Sequence, residues 1–229
     1  MCMCIEKLHN VLIALVASAA LSGPASGFEA TNQYQKLNIN GWTVLVSSHF
    51  GKSPRERNVI LEKIKKQTTL ISKNLSAKHL KVLRKAELWI EDGSHYRVLA
   101  RHHASKSEIY QEGLNTAKYR DVEIFGRFAS IRQPTLVLHE LAHVYHDRKL
   151  AWNDRKIKRL HAQFEARMPS AKDRCGRPTK AYALKNHNEF FATFTEAYFG
   201  KTCSYPFDRT TIQNRHPEMF ALLKKVWGQ

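Results

Sequence analysis

His139-Glu140-Leu141-Ala142-His143 sets two imidazoles four residues apart with a carboxylate next to the first. On a helix, residues at that spacing lie one above the other, so both rings can grip a single divalent ion. Glu140 is turned about 100° from His139 and reaches a water on the metal instead of the metal itself. The chemistry open to such a set is metal-assisted hydrolysis, in which the ion acidifies a water and the carboxylate takes its proton. Leu136, Val137 and Leu138 precede the motif, and Leu141, Ala142, Val144 and Tyr145 keep the helix uncharged around it. A helix this apolar does not bury three ionisable groups without a use for them.

A catalytic zinc site takes three protein ligands and leaves one position open, so a third ligand is needed. An extended motif would require Gly at 146 and His at 149, where the chain has His146 and Lys149. His146 shares a face with His143 but lies about 10 Å along the axis from His139, too far to complete the site. It reads as a histidine beside the site or at the core edge. The other source is the segment Asn188 to Phe199, which carries Glu189 and Glu196 on one face among aromatics. Either can bind the ion, leaving the other to hydrogen-bond a ligand imidazole or to sit in a salt bridge. His95, His102 and His103 have no partners at ligand spacing and read as surface or loop histidines.

The elements that must position these groups follow from periodicity. Leu37 to Ser48 alternates apolar and polar residues around Asn40-Gly41, a turn dipeptide, and predicts a strand pair. Ser53-Pro54-Arg55-Glu56 has the cap, the first-turn proline and the acidic residue of a helix start. The helix that follows has Ile60, Ile64, Ile71 and Leu75 on one side. Ser76 to Lys85 predicts a short second helix, and Ala86 to Glu91 a buried strand. His95 to Arg120 reads as loop-rich. Asp121 to Phe125 is a further strand, placed just before the zinc helix where an extended peptide could add to it as an edge. Helical patterns then run over Pro134 to Asp147, Ala151 to Met168, Asn186 to Phe199 and from His216-Pro217 to Trp227, with a basic loop at Pro169 to Lys180. Strands first and helices after is the order of an α+β domain, a small mixed sheet with helices followed by a helical half that carries the site.

The chain of 229 residues has 37 Lys and Arg against 20 Asp and Glu, a net charge of +17. Lys52 to Lys85 carries 11 basic and 2 acidic residues, and Arg148 to Lys180 carries 11 and 3. That field reads first as a solubilising surface and next as one that attracts an anionic partner such as an envelope polymer; no nucleic-acid module accompanies it. An apolar content of 43% supplies a core and excludes a disordered chain. Residues 1–27 read as a signal peptide: a polar start, the apolar run Val11 to Leu21, and a small-residue tail ending in Ala25 and Gly27. The run is too short to span a bilayer, which needs roughly 20 residues. The expectation is therefore an exported protein, secreted or periplasmic and monomeric, with one domain over 28–229. Cys175 and Cys203 remain after cleavage, and in an oxidising compartment they can pair as a disulfide.

Tyr182 to Ala192, a tyrosine followed after six residues by Glu189-Phe190-Phe191-Ala192, resembles the motif of the lethal-factor-type gluzincin metallopeptidases. The likeness to lethal factor itself covers only the zinc-site segments. The chain is similar over more of its length to a group of bacterial secreted metallopeptidase-like proteins, through Gly41-Trp42-Thr43-Val44, Leu138 to Arg148, Ala181 to Gly200 and Tyr205-Pro206-Phe207. The resemblance implies a zincin-like domain with His139, His143 and Glu189 as ligands of Zn²⁺, Glu140 as base and Tyr182 as oxyanion donor. Its implied activity is zinc-dependent hydrolysis of a peptide or protein substrate through a zinc-bound water. Two rivals remain. One is an exported basic binding protein for an envelope polyanion or nucleic acid, with a structural or vestigial zinc; an intact Glu140 weighs against it. The other turns the same chemistry on a non-protein amide such as a peptidoglycan cross-link.

Overall fold

The computed structural model describes residues 29–52, 54–92, 98–112, 114–168, 171–172 and 178–228. The expected signal peptide over 1–27, the expected cap Ser53, His95 and Cys175, with its expected disulfide, lie outside them.

Asn40 and Gly41 take positive φ of 52° and 86°, the geometry a two-residue hairpin demands and the reason for that dipeptide. They join β1 (Gln35–Ile39) to β2 (Trp42–Val46) as an antiparallel pair, with Ile39 opposite Trp42. The chain then runs through α1 (Pro54–Asn74) and α2 (Ala77–Leu83) to β3 (Leu88–Glu91), which lies parallel to β2. Parallel neighbours need a crossover of this length. α1 buries Ile60, Ile64 and Ile71 and turns Lys65, Lys66 and Lys73 outward, as its periodicity predicts.

The middle of the chain departs from expectation. β4 (Ala100–His102) and α3 (Lys106–Gln111) form within the stretch that reads as loop. β5 (Val122–Phe125) is the predicted strand, but it is internal: parallel to β3 on one side and antiparallel to β4 on the other. The sheet order is β1-β2-β3-β5-β4, so β4 and not Asp121 to Phe125 is the edge beside the helices. A short apolar run reads the same at an edge as in the centre, because its side chains are buried either way. His102 of β4 and His103 just after it both turn their side chains inward. His103 Nε2 lies 3.0 Å from Glu123 Oε2, and His102 Nδ1 lies 3.1 Å from the Asp121 carbonyl. Neither is a surface histidine.

Helices fill the rest: α4 (Leu136–Tyr145), a wide π-helical turn (His146–Leu150), α5 (Arg155–Arg167), α6 (His187–Phe199), α7 (Arg209–Arg215) and α8 (Pro217–Trp227). β6 (Ala171–Lys172) and β7 (Pro178–Thr179) make a small antiparallel pair in the basic loop. α5 starts at Arg155 and not Ala151, because Asp154 caps it by accepting from the Ile157 amide at 2.9 Å. α6 lies at the centre of this half. Its Phe190 and Phe194 pack on Phe164 of α5 at 5.4 and 5.5 Å. On another side Phe191 stacks over Trp227 of α8, whose indole N–H donates to Thr195 Oγ1 at 3.3 Å. One apolar core runs from the sheet through α1 and α4 to these aromatics. The result is an α+β fold with a mixed five-stranded sheet. Among the described residues no helix is long and apolar enough to cross a membrane.

Candidate metal centre

α4 is buried along all ten residues, so its exposed-amide problem at the N-terminus must be solved from outside. Gln67 of α1 does this. Its Oε1 accepts from the Val137 amide at 2.8 Å and its Nε2 donates to the Gln133 carbonyl at 2.8 Å. The start of α6 is set by Asn186, whose Oδ1 accepts from the amides of Asn188 and Glu189 at 3.0 and 2.9 Å. That cap fixes the backbone of Glu189 itself.

The two helices pack side by side and bring four predicted residues together. His139 Nε2 and His143 Nε2 are 3.2 Å apart. Glu189 Oε2 lies 3.0 Å from the first and 3.3 Å from the second. Tyr182, on a single turn (Tyr182–Leu184) just ahead of α6, donates its hydroxyl to the other carboxylate oxygen, Oε1, at 3.1 Å. It is 42% exposed while Glu189 is 9% exposed, so Tyr182 stands on the open side of the cluster. Glu196 is turned away from the nitrogens that face Glu189. Its Oε2 lies 3.0 Å from His139 Nδ1 and its Oε1 accepts from Thr135 Oγ1 at 2.6 Å. Of the two glutamates the sequence left open, Glu189 faces both Nε2 atoms and Glu196 supports one ring from behind.

Glu140, the remaining predicted residue, is buried on α4 and accepts from the backbone N–H of His102. On either side of β4 the main-chain groups of Leu99 and His103 point to β5, which leaves Ala100 and His102 facing the other edge, unpaired by any strand among the described residues. The carboxylate therefore sits at that edge. His146 is fully buried against Trp152 and Phe191, at 5.5 and 5.0 Å between rings, and takes no part in the cluster.

The charges are strongly coupled. Burial alone would raise Glu189, but the two imidazoles outweigh it and hold the carboxyl far below its usual range. Burial likewise opposes charge on His139, yet Glu196 and Glu189 reverse this and favour a positive ring. His143 is pushed by burial down to about 4 and is neutral. Burial, with the negative charges of Glu189 and Glu196, raises Glu140 to about 7. Burial and the same carboxylates raise Tyr182, so it keeps its proton.

Sequence reasoning missed three contributors. Thr135 orients Glu196, His102 holds Glu140 through its main chain, and Lys185 places Nζ 2.9 Å from Glu189 Oε1. Only Lys185 left a local signal, its position four residues before Glu189. Among the described residues, His139, His143 and Glu189 form the one trio of His, Cys, Asp or Glu whose ligand atoms meet, all within 4.8 Å. Two imidazole nitrogens and a carboxylate oxygen are a donor set suited to zinc. The carboxylates that favour positive charge on His139 favour a cation at the same point. No protein-family model, curated protein or solved structure matches the chain.

Proposed function

We propose that this chain is a zinc-dependent metallopeptidase of gluzincin type on a zincin-like fold, exported by the leader over residues 1–27. The observation that carries the reading is the convergence of His139 Nε2, His143 Nε2 and Glu189 Oε2 within 3.3 Å, with Glu140 beside them at a free strand edge. A structural metal has no use for a buried base at such an edge.

Zn²⁺ held by His139, His143 and Glu189 would supply Lewis acidity for the scissile carbonyl and acidify the attacking water. Everything else falls to the chain. Ala100 offers a main-chain N–H and C=O at the free edge of β4, where an extended peptide can add as a strand. Glu140 takes the proton of the attacking water and hands it to the leaving amine. Tyr182, which remains protonated and faces the open side, donates to the oxyanion. Glu196, braced by Thr135, keeps His139 in the tautomer that presents Nε2.

The test is Glu140→Gln in protein loaded with zinc. Metal content should stay at one ion per chain while cleavage of casein and a peptide library falls at least 100-fold. Unchanged cleavage by the variant would overturn the mechanism, and a wild-type chain that takes up no zinc would overturn the reading.

A further inference from the structure

Lys185 lies between the Tyr182 turn and α6, with its side chain 57% exposed. Its Nζ is 2.9 Å from Glu189 Oε1, 3.5 Å from the Tyr182 hydroxyl and 5.3 Å from the centroid of the Tyr182 ring. The two oxygens of Glu189 are thereby divided. Oε2 faces the imidazoles, and Oε1 is taken by Tyr182 and Lys185.

A phenol has one proton to donate. If Tyr182 serves an oxyanion, it must release Glu189, and Oε1 then loses one of its two donors. An ammonium group has three N–H bonds and no such conflict. Its exposed pairing with Glu189 contributes little to the fold, so its consequence is local to the carboxylate. An Oε1 without any donor would be free to turn towards a cation bound at Oε2 and crowd the position where substrate must enter.

We propose that Lys185 is a positioning residue that keeps Glu189 presenting a single oxygen to the cation while Tyr182 is engaged elsewhere. This rests on the metallopeptidase reading for the role of Tyr182, but it can be read without any hydrolysis. The probe is Co²⁺, whose visible absorption weakens when a further ligand oxygen joins the metal. Tyr182→Phe mimics the departure of the hydroxyl, and Lys185 alone should keep its Co²⁺ spectrum like that of the wild type. Lys185→Met with Tyr182→Phe should give a clearly weaker spectrum, and Lys185→Arg with Tyr182→Phe should restore it. With zinc, Lys185→Met alone should lower kcat about 10-fold at unchanged KM, since Tyr182 is then committed to Glu189. A double variant with the spectrum of Tyr182→Phe overturns the proposal and leaves the metallopeptidase reading standing. Wild-type protein that takes up no Co²⁺ overturns both.

Discussion

Glu196 grips His139 from behind, its Oε2 3.0 Å from Nδ1, while Thr135 holds its other oxygen at 2.6 Å. That contact holds a proton on Nδ1, and Nε2 is turned towards Glu189. No equivalent partner serves His143, whose Nδ1 is buried without a hydrogen bond among the described residues. The two glutamates of α6 should therefore answer differently to mutation. Glu189→Ala should abolish zinc binding, whereas Glu196→Ala should weaken it about 10- to 100-fold, the range for partners of a ligand imidazole. Competition with a zinc chelator measures both.

The free edge of β4 makes a prediction about substrate affinity. Ala100 points its main-chain groups away from β5, so a proline there removes an edge donor and spares the ladder. Ala100→Pro should raise KM for long peptides about 10-fold while zinc content and thermal stability hold. Steady-state kinetics on peptides of increasing length read this out.

Glu123 of β5 is buried between Lys118 Nζ at 2.5 Å and His103 Nε2 at 3.0 Å, with Arg101 Nε at 2.9 Å. Burial works to raise it, but His103 and Lys118 prevail and hold it at about 2. A carboxyl lowered in this way stabilises the fold above its unfolded value near 4.5, and that contribution fades as pH falls towards 2. The stability gap between wild type and Glu123→Gln should therefore shrink by roughly 2 kcal/mol between pH 6 and pH 3. Urea unfolding at each pH tests it. Two residues away, Asp121 has the opposite sign: burial raises it to about 6, so its ionisation costs stability as pH rises towards and through 6.

Trp227 is 1% exposed, stacks on Phe191 and bonds Thr195, so it braces the helix that carries both glutamates. Trp227→Ala should cost about 3–5 kcal/mol of stability. Denaturation followed by circular dichroism, which does not depend on the removed fluorophore, gives the value.

What could be read without coordinates was what is local along the chain. The Asn40-Gly41 hairpin, the apolar stripe of α1, the spacing of His139 and His143, and the shared face of Glu189 and Glu196 all depend on neighbours within two turns. Which glutamate meets the imidazoles does not. Residues seven apart stand about 10 Å from each other along the helix, and only the placement of α6 against α4 decides between them. β4 was hidden for a similar reason: Ala100-Arg101-His102 has no alternation of its own, and its pairing with Val122 to Ile124 lies about twenty residues on. The late start of α5 was legible in principle, since Asp154 is a capping residue three positions before the buried Ile157.

The trio of His139, His143 and Glu189 is split between two helices that the chain joins only through some forty intervening residues, with α4 supplying two side chains and α6 the third. An ion bound there is a rivet, and its binding free energy adds to the cohesion of the folded state. If the proposed zinc is the ion, its scarcity would reach beyond activity: the empty protein would open more often and fall to proteolysis sooner, tying its abundance to the local supply.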